Sequence, residues 1–142
     1  MENLTLAGLI NLILTKSERI EEEMKETEEK VKNLTNKQLY CIKIIRRLEN
    51  PNLSELAEAL KITKPSASVM IDKLEINGYV QKVRLDADRR NSHIHLTNLG
   101  EEADAWHSHV HRKIASLLSQ NLDQDEENHL VRLLNQAVLS LK

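Results

Sequence analysis

The most informative segment of the chain spans residues 85–100 and reads Leu85-Asp86-Ala87-Asp88-Arg89-Arg90-Asn91-Ser92-His93-Ile94-His95-Leu96-Thr97-Asn98-Leu99-Gly100. Its polar first half predicts a charged turn, and the alternation of polar and apolar residues that follows predicts a strand. We expect a β-hairpin with strands at Tyr79–Leu85 and Ser92–Leu96. Thr97 is a typical N-cap and predicts a helix directly after the hairpin.

Two short helices are predicted before this hairpin. Leu53–Leu60 has the apolar spacing of a helix, and Thr63 caps a second helix with Pro65 in its first turn, where a missing N–H is tolerated. The second helix ends at Asn77-Gly78, a C-terminal signal. Two helices joined by a tight turn and followed by a hairpin predict a winged helix-turn-helix domain.

Longer helices are predicted on both sides of this domain. One spans residues 4–32 and is apolar nearly all round in its first half, and another spans Lys37–Leu48. After the hairpin we expect a helix from Thr97 to about Ser119 and a last one capped by Asp123. The apolar sides of the first and last helices are wider than one small core needs, which favours a partner chain.

The predicted fold class is therefore mostly α with a small β-hairpin wing (α+β). We expect three parts along the chain: an N-terminal dimerisation helix (1–33), a winged helix-turn-helix domain (34–96) and C-terminal dimerisation helices (97–142). A chain of 142 residues is long enough for one domain with a dimerisation arm.

Composition predicts the cellular compartment of the protein. No apolar run reaches 18 residues and no basic region precedes the N-terminal apolar stretch, which argues against a membrane span or a signal peptide. The single cysteine, Cys41, excludes an internal disulfide and fits a reducing cytoplasm. We expect Cys41 to be a buried small apolar residue, with redox sensing as the alternative.

The charge of the chain is unevenly distributed. The net charge is −2, which alone argues against a nucleic-acid partner. Between Lys61 and His95, however, seven basic and four acidic side chains give a net charge of +3. A basic segment in an acidic chain is typical of a nucleic-acid-binding surface, although a solvated charged face has the same pattern.

Several motifs resemble those of the MarR family of winged-helix regulators. They are Leu34-Thr35, Glu55-Leu56-Ala57, Asp72-Lys73-Leu74-Glu75, Asn77-Gly78-Tyr79-Val80, and Asp86-x-Asp88-Arg89-Arg90 followed by Leu96-Thr97-x-x-Gly100. The resemblance covers residues 34 to 100. It implies a cytoplasmic homodimer that binds a palindromic operator in double-stranded DNA as a repressor and is released by a small-molecule effector. No cofactor and no membrane partner are implied.

The resemblance also implies which side chains contact DNA in the major groove. The outer face of the helix from Thr63 to Asn77 would enter that groove. Ser66 and Ser68 would donate to base edges or phosphates, and Lys64 and Lys73 would contact the backbone. Many relatives carry arginine at the position of Val69. Valine cannot read guanine bidentately, but it can pack on a thymine methyl group.

The hairpin is the second DNA-binding element that the resemblance implies. Arg90 would enter the minor groove, where a narrow A·T-rich segment concentrates negative potential, and Asp88 would orient it. Arg89, Arg84 and Lys82 would contact the flanking phosphates. Base specificity would then depend more on the hairpin and on DNA shape than in relatives with a recognition-helix arginine.

The histidines after the hairpin suggest an alternative signal. His107 and His111 share a helix face at a spacing that can bind zinc. Zinc-sensing relatives also use acidic and histidine ligands near the start of the second helix of the chain, where this chain has Leu39-Tyr40. A plain helix face is the competing interpretation. The residues His93-Ile94-His95-Leu96-Thr97 also resemble a His-x-His-Leu-Thr strand in the fatty-acid-synthesis repressors of the same family. Tyr40 and Trp106 are candidate effector-pocket residues.

Two other classes of function compete with DNA binding. The sequence has no glycine-rich phosphate loop, no nucleophile paired with a base and no paired acids in an apolar setting, so we do not expect an enzyme. A winged helix used only for protein contacts is the stronger competitor. Such a module would carry an uncharged or acidic wing, whereas this wing is basic.

Overall fold

The computed structural model describes residues 3–84 and 92–141, and these residues form six α-helices and one antiparallel hairpin. The elements are α1 (Leu6–Thr27), α2 (Asn36–Leu48), α3 (Leu53–Leu60), α4 (Lys64–Ile76), β1 (Val80–Arg84), β2 (Ser92–Leu96), α5 (Asn98–Ser119), α6 (Gln124–Ala137) and a final 3-10 turn (Val138–Ser140). The predicted fold class, mostly helical with a two-stranded hairpin, is confirmed.

The chain divides into two compact units, with boundaries inside α1 and α5. The central unit is Glu21–Ser108 and contains α2, α3, α4 and the hairpin. The terminal unit combines both ends of the chain, of which residues 3–20 and 109–141 are described. The sequence predicted boundaries at residues 33 and 96 and assigned dimerisation to the outer segments and the winged helix-turn-helix domain to the middle one. This functional division stays a prediction.

The core of the central unit is built from aliphatic side chains on α2, α3, α4 and the hairpin. Each of these helices starts at a capped residue: Thr35, Asn52 and Thr63 accept hydrogen bonds from backbone N–H groups in the first turn. The caps fix where each helix begins and therefore which face is buried. The largest fully buried side chains here are Leu39, Ile42, Ile44, Ile45, Leu56, Ile71, Leu74 and Ile94.

The first helix is shorter than predicted. The sequence predicts one helix over residues 4–32, but α1 ends at Thr27 and the chain turns over residues 28–33. The turn brings Val31 and Leu34 into the core, where both are buried. The Tyr79 hydroxyl holds the segment in place by donating to the Lys30 carbonyl at 2.6 Å. Burial of these two side chains overrides the helical pattern of the surrounding Glu and Lys residues.

The hairpin is bonded to the rest of the central unit through β2 and the residue that follows it. Its register pairs Val80 with Leu96 and Arg84 with Ser92. In the middle of β2, the Ile94 N–H donates to the Pro51 carbonyl at 2.8 Å. Directly after β2, the Thr97 hydroxyl donates to the Gly78 carbonyl.

Gly100 allows the start of α5 to approach the segment that leads into β1. A Cβ at this position would lie 2.1 Å from the Tyr79 carbonyl oxygen, which accepts a hydrogen bond from the Thr97 N–H. Only glycine leaves room for this approach. The Leu96-Thr97-x-x-Gly100 motif therefore acts in the structure as the joint between hairpin and helix.

The terminal unit has a different surface. Val110 is its one fully buried apolar side chain among the residues described, whereas apolar side chains of α1 and α6 are exposed. The exposed set on these two helices includes Leu6, Leu9, Ile10, Leu12, Ile13, Leu14, Leu130, Val131, Leu133 and Leu134. Within residues 3–84 and 92–141, no helix is both long and apolar enough to cross a membrane.

Candidate nucleic-acid interface

The helix that carries the predicted major-groove residues is α4. It begins after Thr63, whose Oγ1 accepts from the Ser66 N–H at 3.2 Å and donates to the Ser66 hydroxyl oxygen at 2.9 Å. Ala67, Ile71 and Leu74 are buried and hold the helix against the core. The opposite face of α4 is therefore presented to solvent in a fixed orientation.

The structure divides the predicted α4 residues into two groups. Ser66, Val69 and Lys73 are exposed, and their spacing of three and four residues places them in one strip along the helix. Val69 is 56% exposed, which is high for an apolar side chain and leaves it free to contact a partner. Ser68 is half-buried and lies with Lys64 in a cleft beside the hairpin.

That cleft has a volume of about 300 Å³ and lies within the central unit. Both of its charged lining residues are lysines, and three serines add hydroxyl groups; the full lining is Asn52, Leu53, Ser54, Lys64, Ser68, Lys82, Ser92 and Ile94. Ammonium and hydroxyl groups are donors that suit a phosphate oxygen. Sequence reasoning did not find Asn52, Ser54 or Ser92, because they come together only when α3, α4 and β2 meet.

Lys82 has acidic neighbours that the predicted phosphate contact did not take into account. Its Nζ lies 2.6 Å from Asp72 Oδ1 and 3.9 Å from Glu75 Oε1, so two α4 carboxylates surround it. Within the described residues, no carboxylate lies within ion-pair distance of Lys64, Lys73 or Arg84. Arg84 is exposed at the last described position of β1. The three residues at the predicted tip, Asp88, Arg89 and Arg90, lie outside the described residues.

His93 was not assigned a role from the sequence, and the structure gives it a positioning one. Its Nδ1 lies 2.8 Å from the Asn50 carbonyl oxygen, and the residue forms an isolated bridge with Asn52. A carbonyl oxygen only accepts, so Nδ1 carries the proton in this hydrogen bond. The bond attaches the hairpin to the loop before α3 and thereby helps to hold the cleft together.

The candidate zinc and redox residues have local surroundings of their own. His107 Nδ1 lies 3.9 Å from Glu21 Oε1, and its ring packs edge-on against Trp106 at 5.2 Å. In the part of the chain that the structure describes, no three His, Cys, Asp or Glu side chains are grouped to bind a metal, and His111 belongs to no such group. Cys41 is fully buried as predicted, and burial raises its pKa to about 12.

The two candidate effector-pocket residues differ in exposure. Tyr40 is 51% exposed on α2, whereas Trp106 is 5% exposed in the core of the central unit. Trp106 therefore serves packing in the central unit. Binding of an effector by either residue stays a prediction.

Comparisons with known proteins agree with this geometry. The MarR family model matches residues 34–92, the segment that contains α2, α3, α4 and β1 and ends at the first residue of β2. The HTH-type transcriptional regulator MgrA of Staphylococcus aureus is 28% identical over 106 residues, which cover 75% of this chain and 71% of MgrA. The MarR-family resemblance predicted from the sequence is confirmed over residues 34–92. The expectation of a transcriptional regulator rather than an enzyme agrees with these matches.

Solved structures of MarR-family proteins share the fold along nearly the whole chain. A mutant of S. aureus MepR bound to an oligodeoxyribonucleotide has a TM-score of 0.75 at 19% identity, covering 99% of this chain and 100% of that one. Streptococcus pneumoniae FabT in complex with DNA has a TM-score of 0.66 at 23% identity, covering 94% and 95%. At these identities the likeness concerns the fold.

Proposed function

We propose that this MarR-family protein is a homodimeric repressor that binds a palindromic operator in double-stranded DNA and is released by a small-molecule effector. The observation that carries the proposal is the exposed strip of Ser66, Val69 and Lys73 on α4 beside a cleft that Lys64 and three serines line. DNA complexes of MepR and FabT, which share the fold, support the same partner. A regulator of chromosomal DNA acts in the cytoplasm.

In this proposal the two groups of α4 residues have different tasks. The strip enters the major groove, where Ser66 contacts a base edge, Val69 packs on a thymine methyl group and Lys73 pairs with a phosphate. The cleft with Lys64 and Ser68 receives a backbone phosphate beside the groove. Without an α4 arginine at position 69, guanine is not read bidentately, and specificity shifts toward the hairpin.

The hairpin tip completes the proposed interface. Arg90 enters the minor groove and Asp88 orients it, while Arg89 and Arg84 contact flanking phosphates. The support for these roles is the family motif Asp86-x-Asp88-Arg89-Arg90. Because an arginine in a narrow minor groove reads shape rather than base edges, we expect operators with A·T-rich flanks.

The dimer is proposed from the terminal unit. Exposed leucine, isoleucine and valine side chains on α1 and α6 form apolar surfaces of the kind that an obligate homodimer buries. Two copies would present two α4 helices to one face of DNA, which explains a palindromic operator. The effector site, with Tyr40 and Trp106 as candidates, remains part of the proposal.

The test of this function begins with selection of the tightest-binding duplex from a random-sequence library by the wild-type protein. Arg90→Ala should weaken binding of that duplex at least tenfold, about 1.4 kcal/mol, with the dimer still folded. Lys43→Met, which removes an exposed charge on α2 outside the proposed interface, is the matched control. Gel-shift titrations at fixed salt measure both variants.

Salt dependence separates DNA binding from protein-only recognition. Wild-type affinity should fall steeply with salt, and Lys73→Met should reduce the slope by about 0.9 if Lys73 neutralises one phosphate. If no duplex is selected, or binding is flat with salt, the winged helix is a protein-interaction module instead. Unchanged binding by Arg90→Ala would remove that residue from the interface.

A further inference from the structure

Lys82 joins the hairpin to α4 through both its side chain and its backbone. Its Nζ lies 2.6 Å from Asp72 Oδ1 and 3.9 Å from Glu75 Oε1. Its backbone N–H donates to Glu75 Oε2 at 3.1 Å. Two carboxylates, about one helical turn apart on α4, thus bind the same residue of β1.

We call the contact of Lys82 with Asp72 and Glu75 the junction. It links the hairpin to α4, the two proposed DNA-binding elements. Asp72 follows Val69 by three residues and lies on the exposed side of α4. Lys82 comes two residues before Arg84, on the strand that leads toward the hairpin tip. A change at the junction would therefore alter the angle between α4 and the hairpin without replacing any residue of the strip or of the hairpin tip.

The surroundings of Lys82 argue against a phosphate contact. Its charge is already matched by the Asp72 carboxylate at hydrogen-bonding distance, and Glu75 adds a second negative charge. A phosphate would have to displace a charge-assisted hydrogen bond and approach two like charges. Lys73, with no such neighbour among the described residues, has neither obstacle.

The three side chains at the junction are 39–53% exposed, so the ion pair contributes little to the stability of the fold. What it does constrain is direction, because the short ion pair between Lys82 and Asp72 limits how far β1 can swing from α4. A hairpin held at one angle is already arranged to reach both grooves at once, which reduces the conformational entropy that binding would otherwise cost.

We propose that Lys82 is a positioning residue, which through Asp72 and Glu75 sets the angle between the recognition helix and the wing for DNA binding. The proposal rests on the proposed function. It replaces the phosphate role that the sequence suggested for Lys82. It also gives the Asp72-Lys73-Leu74-Glu75 motif a task, since its two acids hold the wing while Lys73 faces outward.

The direction in which Asp72→Asn changes DNA affinity distinguishes a phosphate contact of Lys82 from a positioning role. Removing an acid near a phosphate backbone reduces repulsion, so Asp72→Asn should strengthen DNA binding if Lys82 contacts a phosphate. If Asp72 and Lys82 act together to position the wing, Asp72→Asn should weaken binding instead. Lys82→Met, which keeps the aliphatic stem, should weaken it by the same factor.

The experiment measures affinity for the duplex selected by the wild-type protein. We expect Asp72→Asn and Lys82→Met each to weaken binding by up to about fivefold, the limit set by what an exposed ion pair can contribute. The double variant should bind no worse than either single variant, because both remove one shared interaction. Melting temperatures should be unchanged, and Asp125→Asn on α6 and Lys43→Met on α2 serve as matched charge controls.

Three outcomes would overturn the proposal: Asp72→Asn binds as well as or better than the wild-type protein, the two single effects add in the double variant, or melting temperature falls with affinity. A wild-type protein that selects no duplex contradicts the proposed function, and this inference with it. Selection of a duplex followed by stronger binding of Asp72→Asn contradicts this inference alone.

Discussion

The central unit and the terminal unit distribute their apolar side chains in opposite ways. Of the eighteen apolar residues buried in the described part of the chain, seventeen lie in Glu21–Ser108 and one, Val110, in the terminal unit. Of the eighteen large apolar residues exposed there, three lie in the central unit and fifteen in the terminal unit. The central unit thus completes its own core, whereas the terminal unit leaves apolar surface exposed, which supports the proposed dimer.

This difference indicates which unit carries each part of the proposed function. A unit with a complete core can hold an exposed strip and a hairpin at fixed positions, which recognition of DNA requires. A unit with exposed apolar helices is suited to association.

The largest effect is expected where the terminal unit is altered. Leu134, 52% exposed on α6, should be buried in the proposed dimer. Leu134→Glu should weaken the dimer by about 3–6 kcal/mol, because each of two copies no longer buries the exposed half of a leucine and places a carboxylate in an apolar interface instead. Sedimentation equilibrium measures the dimer constant against a protomer mass of 16.3 kDa.

Gln136→Glu is the control for this variant, since it adds the same charge to the same helix. The fluorescence of Trp106, the single tryptophan of the chain, should stay native in both variants because it reports the core of the central unit. A Leu134→Glu protein that is as dimeric as wild type would contradict an α6 interface. A monomeric wild-type protein would contradict the homodimer itself.

A smaller effect is expected from the core of the central unit, where one helix supplies its own control. Ile71 is fully buried on α4, and Ile76 on the same helix is 84% exposed. Ile71→Ala should lower the free energy of unfolding by about 3 kcal/mol, from reduced burial and the cavity left behind. Ile76→Ala should change it by less than about 0.5 kcal/mol.

Urea unfolding followed by Trp106 fluorescence measures both variants. Equal effects at the two positions would show that Ile71 does not belong to the core of the central unit. A large effect of Ile76→Ala alone would instead place Ile76 in an interface, and would weaken the contrast between the two units.

The smallest effect concerns pH and tests how well the central core excludes water. Burial raises the pKa of Cys41 from 9.0 to about 12, so the folded thiol keeps its proton where the unfolded one loses it. Stability should be independent of this group below pH 9 and should fall as pH rises toward 12. The expected decrease is up to about 1.4 kcal/mol per pH unit.

The measurement compares wild type and Cys41→Ala by urea unfolding between pH 7 and pH 10.5. Other groups titrate in both proteins, so the difference between them isolates Cys41. The difference should be constant below pH 9 and then shift in favour of the alanine variant. A difference that stays constant over the whole range would mean that water or base reaches the thiol.

Much of the fold was predictable because its signals are local. Thr63 with Pro65, Asp123 and the Asn77-Gly78 pair mark helix ends through hydrogen bonds and backbone preferences that need no distant partner. The predicted strand Ser92–Leu96 matches β2, and α3 has its predicted bounds. The predicted end of α1 was wrong because burial of Val31 and Leu34 depends on a core that only the folded chain forms.

The order of helices and hairpin, the burial of Cys41 and the family motif can be read from the sequence, because short-range periodicity and capping encode them. The division of α4 into a strip and a cleft, and the pairing of Lys82 with Asp72 and Glu75, arise only when the chain folds. Lys82 is a basic residue in a basic segment, and sequence alone assigns it to a phosphate. Its partners are seven and ten residues away along the chain and become neighbours only when β1 packs beside α4.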